Sequence, residues 1–208
     1  MAPSPSSDPQ LEPEHIELLL DIGEAAIAGA LAGRRTALPS LDDLPAALHA
    51  PARVFVTLHV AGELNGCIGA IDGDEPLGHA VARLSLSAAF SDPRLPPLGP
   101  ADRDGLTIEL SLLSPFTPLP AACVEDLVAT VRPGRDGLLV RAGRRQGLFL
   151  PTVWEQLPEP QHFVDHLWSK AGLPRGTWPA GTETFRFTTH HHARRHGAGR
   201  SPSAACGG

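Results

Sequence analysis

Between residues 14 and 31, apolar side chains recur at Ile16, Leu19, Leu20, Ala26, Ile27, Ala30 and Leu31. This spacing predicts a helix with one buried face, stopped by Gly33. Residues 36–52 carry several prolines among short apolar pieces and read as a surface connection. The pattern then changes to alternation: Val54, Val56, Leu58 and Val60 fall on one face of a strand, Phe55, Thr57 and His59 on the other. Ala61-Gly62-Glu63 supplies a turn, and the chain returns antiparallel through residues 64–71, which puts Cys67 on the second arm of a hairpin. A second helix follows, with Asp74 as candidate cap, Pro76 at its start and Leu77, Ala80, Val81, Leu84 and Ala88 as its apolar stripe. It is expected to stop near Ser91-Asp92-Pro93.

Leu106, Ile108, Leu110 and Leu112 alternate with Thr107, Glu109 and Ser111, a strand that turns Glu109 away from its apolar side and ends at Pro115. Residues 124–131 read as a short helix, and residues 137–140 and 147–150 as two strands joined across Gly143 and Arg144-Arg145. A helix over residues 162–171 carries Phe163, Val164, Leu167, Trp168 and Ala171, and a last strand spans residues 184–188. Hairpins interleaved with separated helices point to an α+β layout with a mainly antiparallel sheet, not to serial βαβ units. Residues 1–12, rich in Pro and Ser, and residues 190–208, a mixture of His, Arg, Gly and Ser, are expected to be disordered, leaving 13–189 as the folded domain.

Composition narrows the function classes. The chain has 208 residues, 42% of them hydrophobic and 19% charged, enough for a full core. Its net charge of −6, from 23 acidic and 17 basic residues, argues against nucleic acid or an anionic membrane as a general partner. No apolar run is long enough to span a bilayer, and Met1-Ala2-Pro3-Ser4-Pro5 lacks a secretory pattern, so a cytoplasmic location is expected. Cys67, Cys123 and Cys206 are far apart and show neither a disulfide framework nor metal-ligand spacing.

The candidate chemistry centres on Leu64-Asn65-Gly66-Cys67-Ile68-Gly69, where a thiol lies between glycines after a strand. Two readings stand: a site around a nucleophile, with a backbone shaped by positive angles at Gly66 and Gly69, or a β-bulge holding an inert, buried cysteine. A nucleophile needs a base or a positive neighbour, and His59, His79, His166 and Glu109 are the candidates. The candidate catalytic set is Cys67, Glu109 and His166, with Asn65, Gly66, Gly69, Asp92 and Arg94 as binding residues. In the alternative reading, Asp92 and Arg94 cap a helix end and fix the loop after it. His162 and His166 share a helix face at the spacing of two metal ligands. Phe163 stands where a zinc hydrolase has its glutamate, so no metal is assigned. Loose metal binding by His190, His191, His192 and His196 would be adventitious. Trp154 and Trp168 read as core or lobe-interface residues.

Several strings together resemble one family: Val54-Phe55-Val56-Thr57-Leu58, the Cys67 segment, residues 88–98 around Ser91-Asp92-Pro93-Arg94, Ile108-Glu109-Leu110-Ser111, Gly147-Leu148-Phe149-Leu150-Pro151 and His166-Leu167-Trp168-Ser169-Lys170. In order and spacing they are similar to the AMMECR-one domain family, whose bacterial branch is called AmmeMemoRadiSam system protein A. The resemblance covers residues 15 to 188. It implies a two-lobed α+β fold, a larger lobe and a smaller one with mainly antiparallel sheets flanked by helices, and an association with a Memo-like protein, related to non-haem iron dioxygenases, and with a radical SAM protein. It implies no settled reaction. Asn65 stands where the family has arginine, which removes a fixed charge that would favour a thiolate or hold an anion, and Thr152 replaces a glutamine. The chain has neither a three-cysteine cluster nor a phosphate-cradling glycine loop, so no cofactor is expected on it. Two functions remain open. One is a cysteine-dependent enzyme or enzyme subunit, and the other a non-catalytic binding or adaptor module.

Overall fold

A computed structural model of the chain describes residues 11–35 and 37–197. In chain order the helices are α1 (Pro13–Leu31), α2 (Leu77–Phe90), α3 (Val124–Thr130) and α4 (Pro160–Lys170). The strands are β1 (Arg53–Val60), β2 (Glu63–Ala70), β3 (Leu106–Leu113), β4 (Thr117–Pro118), β5 (Gly137–Ala142), β6 (Arg145–Phe149), β7 (Glu183–Phe187) and β8 (Thr189–Arg195). They form two antiparallel four-stranded sheets, ordered β2-β1-β3-β8 and β4-β7-β5-β6. The α+β class read from the hydrophobic pattern is the observed one. The chain divides into two compact units, an N-terminal unit drawn from residues 11–112 and 190–197 and a C-terminal unit of residues 113–189.

In the N-terminal unit, the inward faces of β1 and β3 supply Val54, Val56, Leu58, Leu106, Ile108 and Leu110. These pack with Leu19, Leu20 and Ile27 of α1 and Leu77, Val81 and Leu84 of α2. Pro13 opens α1, the Glu12 amide donates to His15 Nδ1 at 3.0 Å, and Gly33 ends the helix at φ 68°. The β1–β2 turn places Ala61 and Gly62 at φ 51° and 91°, the twist a two-residue hairpin requires. Ala61 tolerates that conformation while its amide donates to the Gly105 carbonyl at 3.0 Å.

The C-terminal unit has its own core, built from Leu127, Leu138, Val140, Phe163, Val164, Leu167 and Trp168. Trp154 stacks on Phe163 with centroids 3.8 Å apart and donates its indole N–H to the Asp136 carbonyl at 2.7 Å. Trp168 donates to the Thr177 carbonyl at 2.8 Å. Both tryptophans are core residues of this unit, each with its polar edge satisfied.

Four expectations change. The tail assigned to 190–208 contributes β8 up to Arg195, and residues up to 197 belong to the fold. The hydrophobic pattern hides this strand because its anchoring is polar: Arg194 reaches Glu17, Asp21 and Glu24 of α1. At the other end, Leu11 packs on the core and Glu12 caps α1, so the folded part begins before residue 13. Residues 1–10 and 198–208 lie outside the described residues. Asp74 does not cap α2, whose preceding position is Pro76 with no side-chain cap bond. The connection over 36–52 holds two short 3-10 turns, Leu41–Asp43 and Ala46–Leu48, and Leu48 is wholly buried in the core.

Candidate functional site

Cys67 lies on β2, an edge strand of its sheet, opposite Thr57 of β1. The hairpin register runs Leu58↔Gly66 and then His59↔Leu64, so Asn65 is an extra residue in a β-bulge. The bulge of the second reading is therefore present, while the thiol is half-buried and not buried as that reading had it. The Asn65 side-chain oxygen is buried with no hydrogen-bond partner among the described residues, an arrangement that costs free energy.

Gly66 and Gly69 are required for space, not for unusual backbone angles. Neither is among the positive-φ residues. A Cβ on Gly66 would lie 2.1 Å from the Ala88 carbonyl oxygen in the last turn of α2, and one on Gly69 would lie 2.4 Å from the Phe55 ring. The absent side chain at Gly66 lets β2 approach the end of α2, and that approach brings the residues following the helix to Cys67.

Asp92 and Arg94 there form a clamp on the Cys67 backbone. Asp92 Oδ2 accepts the Cys67 amide at 3.0 Å, and Arg94 Nη2 donates to the Cys67 carbonyl at 2.8 Å. The Asp92 carboxylate also accepts Arg94 Nε at 2.9 Å, Nη2 at 2.7 Å and the Arg94 amide at 3.1 Å. The pair occupies the outward hydrogen-bonding positions that a neighbouring strand would otherwise take. The Asp92 side chain is 1% exposed and that of Arg94 61%. Hydrogen bonds from Arg94 hold the Asp92 carboxyl well below the usual carboxylate range, against the opposing effect of burial. Hydrogen bonding to Asp92 raises the Arg94 pKa against burial, with the Asp92 charge adding to it. The sequence brought these two residues forward, but as an alternative to a loop cap. The structure joins them to Cys67.

The polar contact of the thiol is a residue that the sequence reading did not select. Thr57 Oγ1 donates to Cys67 Sγ at 3.4 Å. Strand alternation carries the signal: Thr57 is, with His59, a polar residue on the outward face of β1, and the hairpin register puts Thr57 opposite Cys67.

Glu109 belongs to a second cluster on the same sheet. Its Oε1 lies 3.1 Å from His191 Nδ1 and 3.4 Å from the Ser111 hydroxyl, which is itself 3.0 Å from His191 Nδ1. With β1 between β2 and β3, the strands of Cys67 and Glu109 are two ladder spacings apart, about 10 Å, beyond direct hydrogen bonding. His191, assigned from sequence to a loose tail, is thus the neighbour of Glu109. His166 belongs to the C-terminal unit, where it and His162 are exposed on α4. His79 Nε2 contacts the Pro39 carbonyl at 2.9 Å, and His59 is half-buried on β1. Among the described residues, no group of three or more His, Cys, Asp or Glu side chains is placed to hold a metal ion. No described helix is long and apolar enough to cross a membrane.

The sequence pattern of the AMMECR1 family matches residues 20–192, a span running from α1 into β8. The chain belongs to the AMMECR1 family. Among its AMMECR1 relatives, a protein of Methanothermobacter thermautotrophicus is 37% identical over 171 residues, covering 81% of this chain and 88% of that one. A protein of Thermococcus gammatolerans is 34% identical over 190 residues, with 86% and 90% covered. The crystal structure of an uncharacterised protein from Pyrococcus horikoshii superposes with a TM-score of 0.76 at 31% identity, covering 86% of this chain and 91% of that one. The AMMECR1 match ends within β8, so it too includes part of the strand that composition had assigned to a tail.

Proposed function

We propose that this AMMECR1 chain is a component of an AmmeMemoRadiSam-type system and acts as a cysteine-dependent enzyme or enzyme subunit through Cys67. The supporting observation is the fixed setting of Cys67: its backbone is clamped by Asp92 and Arg94 while its thiol receives the Thr57 hydroxyl. In this reading Cys67 is the nucleophile, Thr57 orients the sulfur, and the exposed guanidinium of Arg94 supplies the positive charge that Asn65 does not. Glu109 keeps its candidate role as an acid–base group only through a bound substrate that reaches across β1, and His166, on the other unit, is given no role in this reading. The proposed partners are a Memo-like protein and a radical SAM protein.

One observation favours a second reading. Asp92 and Arg94 bind the peptide groups of Cys67, which suits a rigid docking surface as well as a reactive thiol. In that case the chain is a non-catalytic adaptor for the same partners.

Alkylation of the three thiols at neutral pH, resolved by mass spectrometry, separates the readings when combined with Cys67→Ser tested for function of the native system. Cys123 is the internal comparison. A backbone hydrogen bond at Asp126 favours its thiolate, but the Glu125 and Asp126 side chains and desolvation outweigh that bond and raise its pKa. The enzyme reading expects Cys67 to react faster than Cys123 and Cys67→Ser to abolish function. A slow Cys67 together with full function in Cys67→Ser leaves the adaptor reading.

A further inference from the structure

β8 closes one edge of the N-terminal sheet, yet none of its residues is buried. An edge strand ordinarily gains much of its hold from apolar side chains packed on one face. Backbone hydrogen bonds alone exchange with water at small net gain. Here the named anchors are polar on both sides. Toward α1, Arg194 donates Nη1 to Glu17 at 2.9 Å, Nη2 to Asp21 at 2.7 Å and Nε to Glu24 at 3.1 Å. His196 Nε2 accepts Arg103 Nε at 3.0 Å, with Nδ1 3.6 Å from Glu24, and its amide donates to the Leu106 carbonyl at 2.7 Å. On the other face, His191 contacts Glu109 and Ser111.

We propose that β8 is a polar strap that leaves β3 while the N-terminal core stays folded, and that its departure uncovers Glu109 and Ser111. Segments with little buried apolar area open at lower free energy than the core they border. The chief cost of opening is that Glu17, Asp21 and Glu24, spaced along one helix, lose the cation they share. Salt reduces that cost: the screening length falls from about 10 Å at 0.1 M to about 3 Å at 1 M, so the exposed carboxylates repel one another less once the strap has left. Ser111 is 1% exposed with β8 in place, and Glu109 becomes available to a ligand or proton donor when His191 withdraws. The inference does not depend on Cys67 being reactive.

The test uses the full chain at one pH. Amide hydrogen exchange of β8 is compared with that of the β1–β2 ladder at about 0.05 M and about 1 M sodium chloride. Carbodiimide labelling of Glu109 is followed in parallel by mass spectrometry. The expected result is exchange in β8 at least about tenfold faster than in β1–β2, a further rise with salt in β8 alone, and Glu109 labelling that rises with it. Arg194→Met at low salt should reproduce the high-salt rates. If that variant does not fold, the salt series on the unaltered chain decides. Exchange of β8 and β1–β2 at one common rate, or Glu109 labelling that does not follow β8, would overturn the proposal.

Discussion

Asp92 gathers four hydrogen bonds in a nearly dry position, so its charge is tied to the folded state. Asp92→Asn is expected to cost about 1.5–3 kcal/mol, the range for hydrogen bonds to a charged group, measured by urea unfolding at neutral pH. The folded pKa is depressed, so this contribution is complete above the unfolded value of about 4 and is lost as pH falls through the folded one. The stability gap between the unaltered chain and Asp92→Asn should therefore be flat above about pH 5 and close below about pH 4. A gap that stays constant down to pH 3 would show that the Asp92 charge is not what the clamp contributes. Gly66 and Gly69 separate in the same way. Gly66→Ala meets a helix carbonyl and is expected to destabilise by about 1–3 kcal/mol, while Gly69→Ala meets the half-buried Phe55 ring, which can turn aside, and should cost less. Equal costs would mean that the approach to Ala88 is not the constraint.

The hairpin of β1 and β2, helices α1, α2 and α4, and strand β3 follow from periodicity because each buries one face in a core. β8 has no such face. Its sequence, Thr189-His190-His191-His192-Ala193-Arg194-Arg195, resembles a solvated tail until α1 supplies three carboxylates. A chain ending at residue 188 should melt lower than one ending at residue 197, since β3 loses its ladder partner and the α1 carboxylates lose Arg194. With about 1 kcal/mol worth roughly 2–4 °C at this length, a fall of at least about 4 °C in calorimetry is expected. Identical midpoints would mean that β8 adds nothing to the fold. β4 was also illegible, because two residues carry no period; it is defined by pairing with β7.

At the scale of the whole molecule the chain builds two cores. Trp154, Trp168 and Trp178 all belong to the C-terminal unit, so intrinsic fluorescence reports on that unit. Phe163 is completely buried and stacked on Trp154. Phe163→Ala should cost about 3–5 kcal/mol, seen as an earlier fluorescence transition in denaturant. A cost under about 1 kcal/mol would show that the stack and its surroundings refill the space.

The sequence by itself determined the α+β class, most element positions, the family and the prominence of Cys67, Asp92 and Arg94, because these depend on local period, local punctuation and strings read in order. Tertiary structure alone decided which of them meet. Asp92 reaches Cys67 because Gly66 admits the end of α2, Thr57 reaches its thiol through the hairpin register, and Glu109 pairs with His191 because the chain returns after the C-terminal unit to complete the first sheet. Contacts between residues far apart in sequence leave no period for a single chain to display, and a strand anchored by ion pairs leaves no apolar pattern.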